Sequence, residues 1–200
     1  MPIAYAGINP TLKIDTRQLQ KTEKLSLNRA TGVLFKNRRG VCISMVVDWI
    51  DKCQRIPGGV TDISELKSGL ALSLAQTAYM RHAFQEGSDS NDKSFIENQG
   101  LTISTYSSLE NKFFSTKKGR LQRMATALAG LVGYAYIGVS GDGGHALGYR
   151  RERGLIQCLD PNEGILEFNS GTEFAKWFPA YMLGEYPDVV DRLELTKIRG

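Results

Sequence analysis

Gly40-Val41-Cys42-Ile43-Ser44-Met45-Val46-Val47-Asp48-Trp49-Ile50 sets a cysteine at the head of an apolar run. Met45, Val46, Trp49, Ile50 and Cys53 recur at the three-and-four spacing of a helix with one buried stripe. Ile56-Pro57-Gly58-Gly59 ends that helix, since proline lacks the N–H and glycine favours the turn. A thiol at the first turn of a helix meets unpaired backbone N–H groups and the positive end of the macrodipole, both of which favour a thiolate. Gly40 lets the chain turn tightly and leaves room for a substrate backbone. A small buried hydrophobe at a helix start is the plainer role for a lone cysteine, so the rest of the chain has to supply a partner.

The partners are few, because the chain holds three cysteines and two histidines. A thiolate nucleophile needs an imidazole to hold its proton and a third group to orient that imidazole. Arg151-Glu152-Arg153-Gly154 reads as a tight connection between two alternating strands, His145 to Arg150 and Leu155 to Asp160. Pairing Arg150 with Leu155 sets Tyr149 against Ile156, Leu147 against Cys158 and His145 against Asp160. A carboxylate beside His145 would fix the ring tautomer and stabilise the imidazolium. A one-residue slip of this register would put the two side chains on opposite faces. His82 continues the row Leu66, Leu70, Leu74, Ala78 and is read as packing near a helix end; Cys53 and Cys158 read as core cysteines.

Asn37 lies in the loop before Cys42, where its amide can join the Cys42 N–H as an oxyanion donor, although a turn role also explains an asparagine there. Gly141, Gly143 and Gly144 give the segment before His145 freedom to approach a peptide or to act as a lid. There is no Cys-x-x-Cys, His-Glu-x-x-His, P-loop or dinucleotide fingerprint, so no metal and no cofactor is expected.

Around these motifs the chain reads as one α+β domain, helices first and then an antiparallel sheet with a late helix. Residues 1–30 are expected to form a flexible polar arm and 31–200 the domain. Asp62 and Glu65 make a capping box for a second helix reaching about Phe84, and Asn91 to Gly100 a short helix. Leu101 to Tyr106 is expected as a strand and Leu121 to Leu128 as a helix. Later strands fall at Leu131 to Ser140, Ile165 to Phe168 and Val189 to Ile198, with a helix from Thr172 to Leu183. Two hundred residues, 42% of them hydrophobic, suffice for one core.

No apolar run approaches the length of a membrane span, and Met1-Pro2-Ile3-Ala4-Tyr5-Ala6-Gly7 lacks the basic and apolar regions of a signal peptide. The net charge of +4 is mild. Its clusters, Arg38-Arg39, Lys117-Lys118 with Arg120 and Arg123, and Arg150-Arg151 with Arg153, are read as solvated faces and hairpin tips, with peripheral contact to phospholipid or to an acidic partner as the second reading. They lack the aromatic interleaving of a nucleic-acid stripe, so no nucleic-acid partner is expected.

Asn37 with Gly40-Val41-Cys42 and the helix through Trp49, then Gly144-His145-Ala146, then Asp160-Pro161, together resemble the YopT/AvrPphB-type papain-like cysteine proteases, bacterial effectors delivered into host cells. The resemblance spans roughly Asn37 to Asp160. It implies a papain-like fold, a helical lobe packed against an antiparallel sheet. It also implies Cys42 as nucleophile, His145 as general base and acid, Asp160 as orienter and Asn37 as oxyanion donor. Type III secretion into host cytosol and a host protein substrate, a Rho-type GTPase or a kinase, follow from the same resemblance. Two other readings keep the fold: an acyltransferase, transglutaminase or amidase on the same site, and a non-catalytic interaction module.

Overall fold

A computed structural model describes residues 4–19, 41–68, 70–86, 88–109 and 116–200. Among these residues seven antiparallel strands form one sheet in the order β1-β6-β5-β4-β3-β7-β2. They are β1 (Thr11–Asp15), β2 (Ile103–Leu109), β3 (Gly133–Ser140), β4 (Gly144–Glu152), β5 (Leu155–Asp160), β6 (Gly164–Phe168) and β7 (Arg192–Ile198). Among the helices of the described residues are α1 (Cys42–Arg55), α2 (Leu70–Glu86), α3 (Ser88–Asn98), α4 (Lys117–Gly130) and α5 (Gly171–Glu185).

Strand alternation sends side chains to two separate cores. On one face Tyr134, Tyr136, Ala146, Leu159, Ile165 and Ile198 meet Met45, Val46, Trp49 and Ile50 of α1 together with Leu72, Phe95 and Ile96. On the other, Ala135, Ile137, Leu147, Tyr149, Ile156 and Cys158 meet Leu121, Met124 and Leu128 of α4 and Phe174, Trp177, Phe178 and Tyr181 of α5. The sheet is therefore covered on both sides, with α1 lying along β4. Gly148 permits that approach: a Cβ there would stand 2.6 Å from Cε3 and Cζ3 of Trp49. Among the described residues no helix is long and apolar enough to cross a membrane.

Several expectations change. The first thirty residues are not wholly an arm, because β1 pairs with β6 from Thr11↔Glu167 to Asp15↔Gly164. An edge strand with one buried residue, Ile14, leaves little periodic signal to read. The Asp62–Glu65 capping box is present but caps only a 3₁₀ turn, Ile63–Glu65. Leu66 then goes extended, and the Lys67 N–H bonds Asp48 Oδ2 at 2.7 Å. Among the described side chains of α2 the buried positions are Leu72, Ser73 and Gln76, whereas Leu74 and Ala78 of the predicted row are exposed. His82 falls on that helix among side chains outside the described ones.

The basic clusters are not simply solvated. Arg150 is buried and its Nη1 donates to Gly58 O at 2.9 Å while Nη2 meets Glu152 at 2.8 Å. Arg120 is also buried, donating to Val190 O. Arg38-Arg39 lies outside the described residues.

The β4–β5 register differs from the predicted one by two residues: Glu152, not Arg150, faces Leu155. The turn is only Arg153-Gly154, both at positive φ (50° and 85°), which suits the right-handed twist of a two-residue hairpin. An even shift preserves faces. His145 and Asp160 therefore share a side of the sheet, as predicted, but are not directly opposed.

Candidate active site

Cys42 opens α1. Its N-cap residue, Val41, offers no side-chain acceptor, and no acid lies in the first turn. The first N–H of the turn to bond within the helix is that of Met45, to Val41 O at 3.0 Å. The N-terminal end of the helix thus keeps its positive potential beside the sulfur. Cys42 is 6% exposed and lines a cleft of about 330 Å³ together with Gln76, Tyr79, Tyr136 and His145.

His145 sits near the start of β4, beyond the last β4–β5 pair, Gly148↔Leu159. There the two strands part, and the imidazole reaches diagonally to Asp160, with Nε2 to Oδ1 at 2.9 Å. The same part of the sheet brings it to the cleft that Cys42 lines, and the thiol adds to the upward push on the imidazole. Since Nε2 faces the carboxylate, Nδ1 is the nitrogen left for the thiol.

Asp160 has no solvent exposure. Its Oδ1 also accepts the Asn162 N–H at 2.8 Å, and its Oδ2 accepts the hydroxyls of Tyr181 at 2.5 Å and Tyr186 at 2.7 Å. Burial pushes this carboxyl up, yet the His145 charge and these hydrogen bonds outweigh it and hold it below the usual carboxylate range. For His145 burial acts downward, but the attraction and hydrogen bond of Asp160, with help from Cys42, raise it to about 10. The two shifts agree: an imidazolium–carboxylate pair at neutral pH. Burial, then the Asp160 charge, pushes both tyrosines far up, so they stay neutral donors.

Tyr186 does more than donate. Its ring stacks on His145 with centroids 4.5 Å apart and planes at 17°, and its hydroxyl accepts from Asn162 Nδ2 at 3.0 Å. It covers one side of the His145–Asp160 pair. Thr16, just after β1, ties the turn behind Asp160 by donating to the carbonyls of Asp160 and Pro161 at 3.3 and 3.1 Å.

The structure thus brings Cys42, His145 and Asp160 together, while Asn37 lies outside the described residues. Tyr181, Tyr186 and Gln76 went unread as site residues: Tyr181 fell inside the helix expected from Thr172 to Leu183 with nothing to mark it, and the other two carry no sequence pattern. The glycine loop before His145 is tied rather than free. Asp142 N bonds Asp188 O at 3.0 Å, Asp191 N bonds Ser140 O at 3.1 Å, and a Cβ on Gly141 would lie 2.3 Å from Asp188 O. Cys53 and Cys158 are buried, and burial raises both thiols. Among the described residues no group of three or more His, Cys, Asp or Glu side chains could hold a metal.

No family model and no curated protein matches the chain. Solved structures do. The avirulence protein AvrPphB of Pseudomonas superimposes with a TM-score of 0.62 at 14% identity, over 82% of this chain and 94% of that one. The fold is AvrPphB's, a papain-like one. PatoxP, described as a cysteine protease-like domain of the Photorhabdus asymbiotica toxin PaTox, matches with a TM-score of 0.41 at 13% identity, over 90% of this chain and 57% of that one. The papain-like architecture expected from the ordered motifs is thus present, a helical layer against an antiparallel sheet, with a second helical pair, α4 and α5, on the far face.

Proposed function

We propose that this chain is a cysteine endopeptidase in which Cys42 is the nucleophile, His145 the general base and acid, and Asp160 the orienting carboxylate. One observation carries the reading. The helix-terminal thiol opens on a cleft that it shares with an imidazole ion-paired to a buried carboxylate. Strongly shifted titratable pairs at clefts are a mark of functional sites.

In the resting site the thiol proton resides on His145, with Nε2–H held by Asp160 and Nδ1–H facing the sulfur. The thiolate attacks a peptide carbonyl carbon, forming a C–S bond and an oxyanion that the Cys42 N–H and the Asn37 amide would hold. His145 passes its Nδ1 proton to the leaving nitrogen as the C–N bond breaks. Water then gives a proton to the neutral ring while its oxygen attacks the thioester, the C–S bond breaks, and the carboxylic acid leaves with the thiolate–imidazolium pair restored. Tyr186 and Tyr181 hold Asp160 throughout, so the ring needs no reorganisation between steps.

On this reading the chain works as a bacterial effector, delivered by type III secretion and cutting a protein inside a host cell. The test is a search for new protein N-termini in host lysate exposed to wild type or to Cys42→Ala. Wild type should create a small reproducible set that the variant does not. Identical sets for the two proteins would overturn the peptidase reading.

A further inference from the structure

The N-terminus of α1 poses a problem that its own sequence does not solve. A helix start leaves several N–H groups without partners, and burial makes them costly. Val41 has no side chain to cap them. The usual remedy, a serine or aspartate at the N-cap, would put an acceptor over the N–H groups of the second and third residues. An aspartate would also place a negative charge beside the sulfur.

The acceptor comes instead from the neighbouring helix. Gln76 of α2 is 2% exposed, and its Oε1 receives both the backbone N–H and the hydroxyl of Ser44, each at 3.3 Å. Ser44 is the third residue of α1, so this bond satisfies one N–H and leaves those of Cys42 and Ile43 for the cleft. With its oxygen committed to Ser44, Gln76 has only its amide N–H donors left for the cleft that it lines beside Cys42. The cap is neutral, and it approaches from outside the helix.

We propose that Gln76 is a positioning residue for catalysis, a neutral cap supplied by α2 that seats the first turn of α1 without placing negative charge beside Cys42. The inference rests on the peptidase reading for its purpose but concerns the thiol alone. Other titratable groups around the sulfur are His145 on β4, Tyr136 on β3, Tyr79 on α2, Asp92 on α3 and Glu194 on β7. Asp48 on α1 itself is turned to Lys67. Tyr79 and Tyr136 donate to Asp92. A carboxylate at position 76 would therefore be a new charge on the α2 side of the sulfur.

The experiment measures iodoacetamide alkylation of Cys42 in the full chain from about pH 5 to about pH 10, with thermal melting alongside. Gln76→Glu keeps an acceptor for Ser44 and adds charge. Its alkylation midpoint should move up by about one pH unit and its rate near pH 6 fall about tenfold, with melting near wild type. Gln76→Asn is too short to reach Ser44 and adds no charge, so melting should fall while the midpoint stays. A Gln76→Glu profile superimposed on wild type would overturn the proposal. So would an equal midpoint shift in Gln76→Asn, because packing rather than charge would then govern the thiol. Should Gln76→Glu fail to fold, a shifted Gln76→Asn midpoint still refutes and an unshifted one supports. The alkylation profile is independent of any peptide being cut, so failure to find cleavage products bears on the peptidase reading only.

Discussion

Replacing Asp160 by asparagine isolates the charge behind the imidazole from the shape that holds it. The Asn oxygen can keep the places of Oδ1, accepting from His145 Nε2 and from the Asn162 N–H. The new NH2 then meets the Tyr181 and Tyr186 hydroxyls, which can rotate from donor to acceptor. Geometry survives and charge does not. In wild type, the His145 pKa of about 10 lies three factors of ten above pH 7, roughly 4 kcal/mol in favour of imidazolium. Without the carboxylate, burial favours the neutral ring and is opposed only by the smaller influence of Cys42.

The sign of the pH dependence follows. A raised histidine contributes stability that is complete below its unfolded value near 6.5 and fades as pH rises through about 10. A lowered Asp160 contributes stability present above its unfolded value of 3.8 and lost as pH falls through its folded one. Wild type should exceed Asp160→Asn most between those limits, by about 2–4 kcal/mol at pH 7 in urea unfolding. Near pH 6, where a free thiol is protonated, Cys42 alkylation in the variant should be slower by about 100-fold. The two profiles should converge at alkaline pH. An Asp160→Asn protein that labels like wild type at pH 6 would show that the buried carboxylate does not set the protonation of His145.

Other consequences are separable. Iodoacetamide should modify Cys42 in the folded protein and leave Cys53 and Cys158 untouched until denaturant is added, because both lie buried with raised pKa values; peptide mass mapping reads this directly. Tyr186→Phe keeps the ring over His145 but removes one donor that holds Asp160 low, so the acid limit of stability should move upward and about 1–2 kcal/mol be lost at pH 7. Tyr186→Ala also bares the ring to water and should cost more, a difference that urea titration at two pH values resolves. Gly148→Ala forces a methyl to within 2.6 Å of Trp49 and should destabilise by about 1–3 kcal/mol, with the indole fluorescence changed.

Much of this fold was legible because periodicity is strong where burial is one-sided. The α1 stripe, the strands β3 to β6 and the α5 helix each follow from spacing of apolar residues. The hairpin reading chose the right face with the wrong partner: Arg151 to Gly154 looked like a four-residue connection, but Arg153 accepts a positive φ and lets the strands extend to Glu152. The helix row through Leu74 failed for a different reason. Gln76 and Ser73 occupy the buried face of α2, and a polar residue doing a buried task disguises the stripe. Tyr186 stands just past the end of α5, where no repeat announces its contact with His145.

The location of the site follows from the sheet being covered on both faces. Cys42 belongs to the layer that contains α1, whereas Asp160 is held by tyrosines from the α5 side. A continuous β4–β5 ladder would seal one layer from the other. The ladder stops at Gly148↔Leu159, and His145 lies three residues beyond that pair, where its ring can touch both. Gly148 serves each side of this arrangement: it ends the paired region and lets Trp49 press α1 onto the strand, which sets how far Cys42 projects past the parting strands. The imidazole therefore links the layer that carries the thiol to the layer that holds the carboxylate. A change in the α1 layer that moves it by a fraction of an ångström acts first on the placement of the thiol, and one in the α5 layer acts first on the imidazole–carboxylate contact. Core variants near α1 should thus alter thiol reactivity more than the ion pair, and those in α5 the reverse.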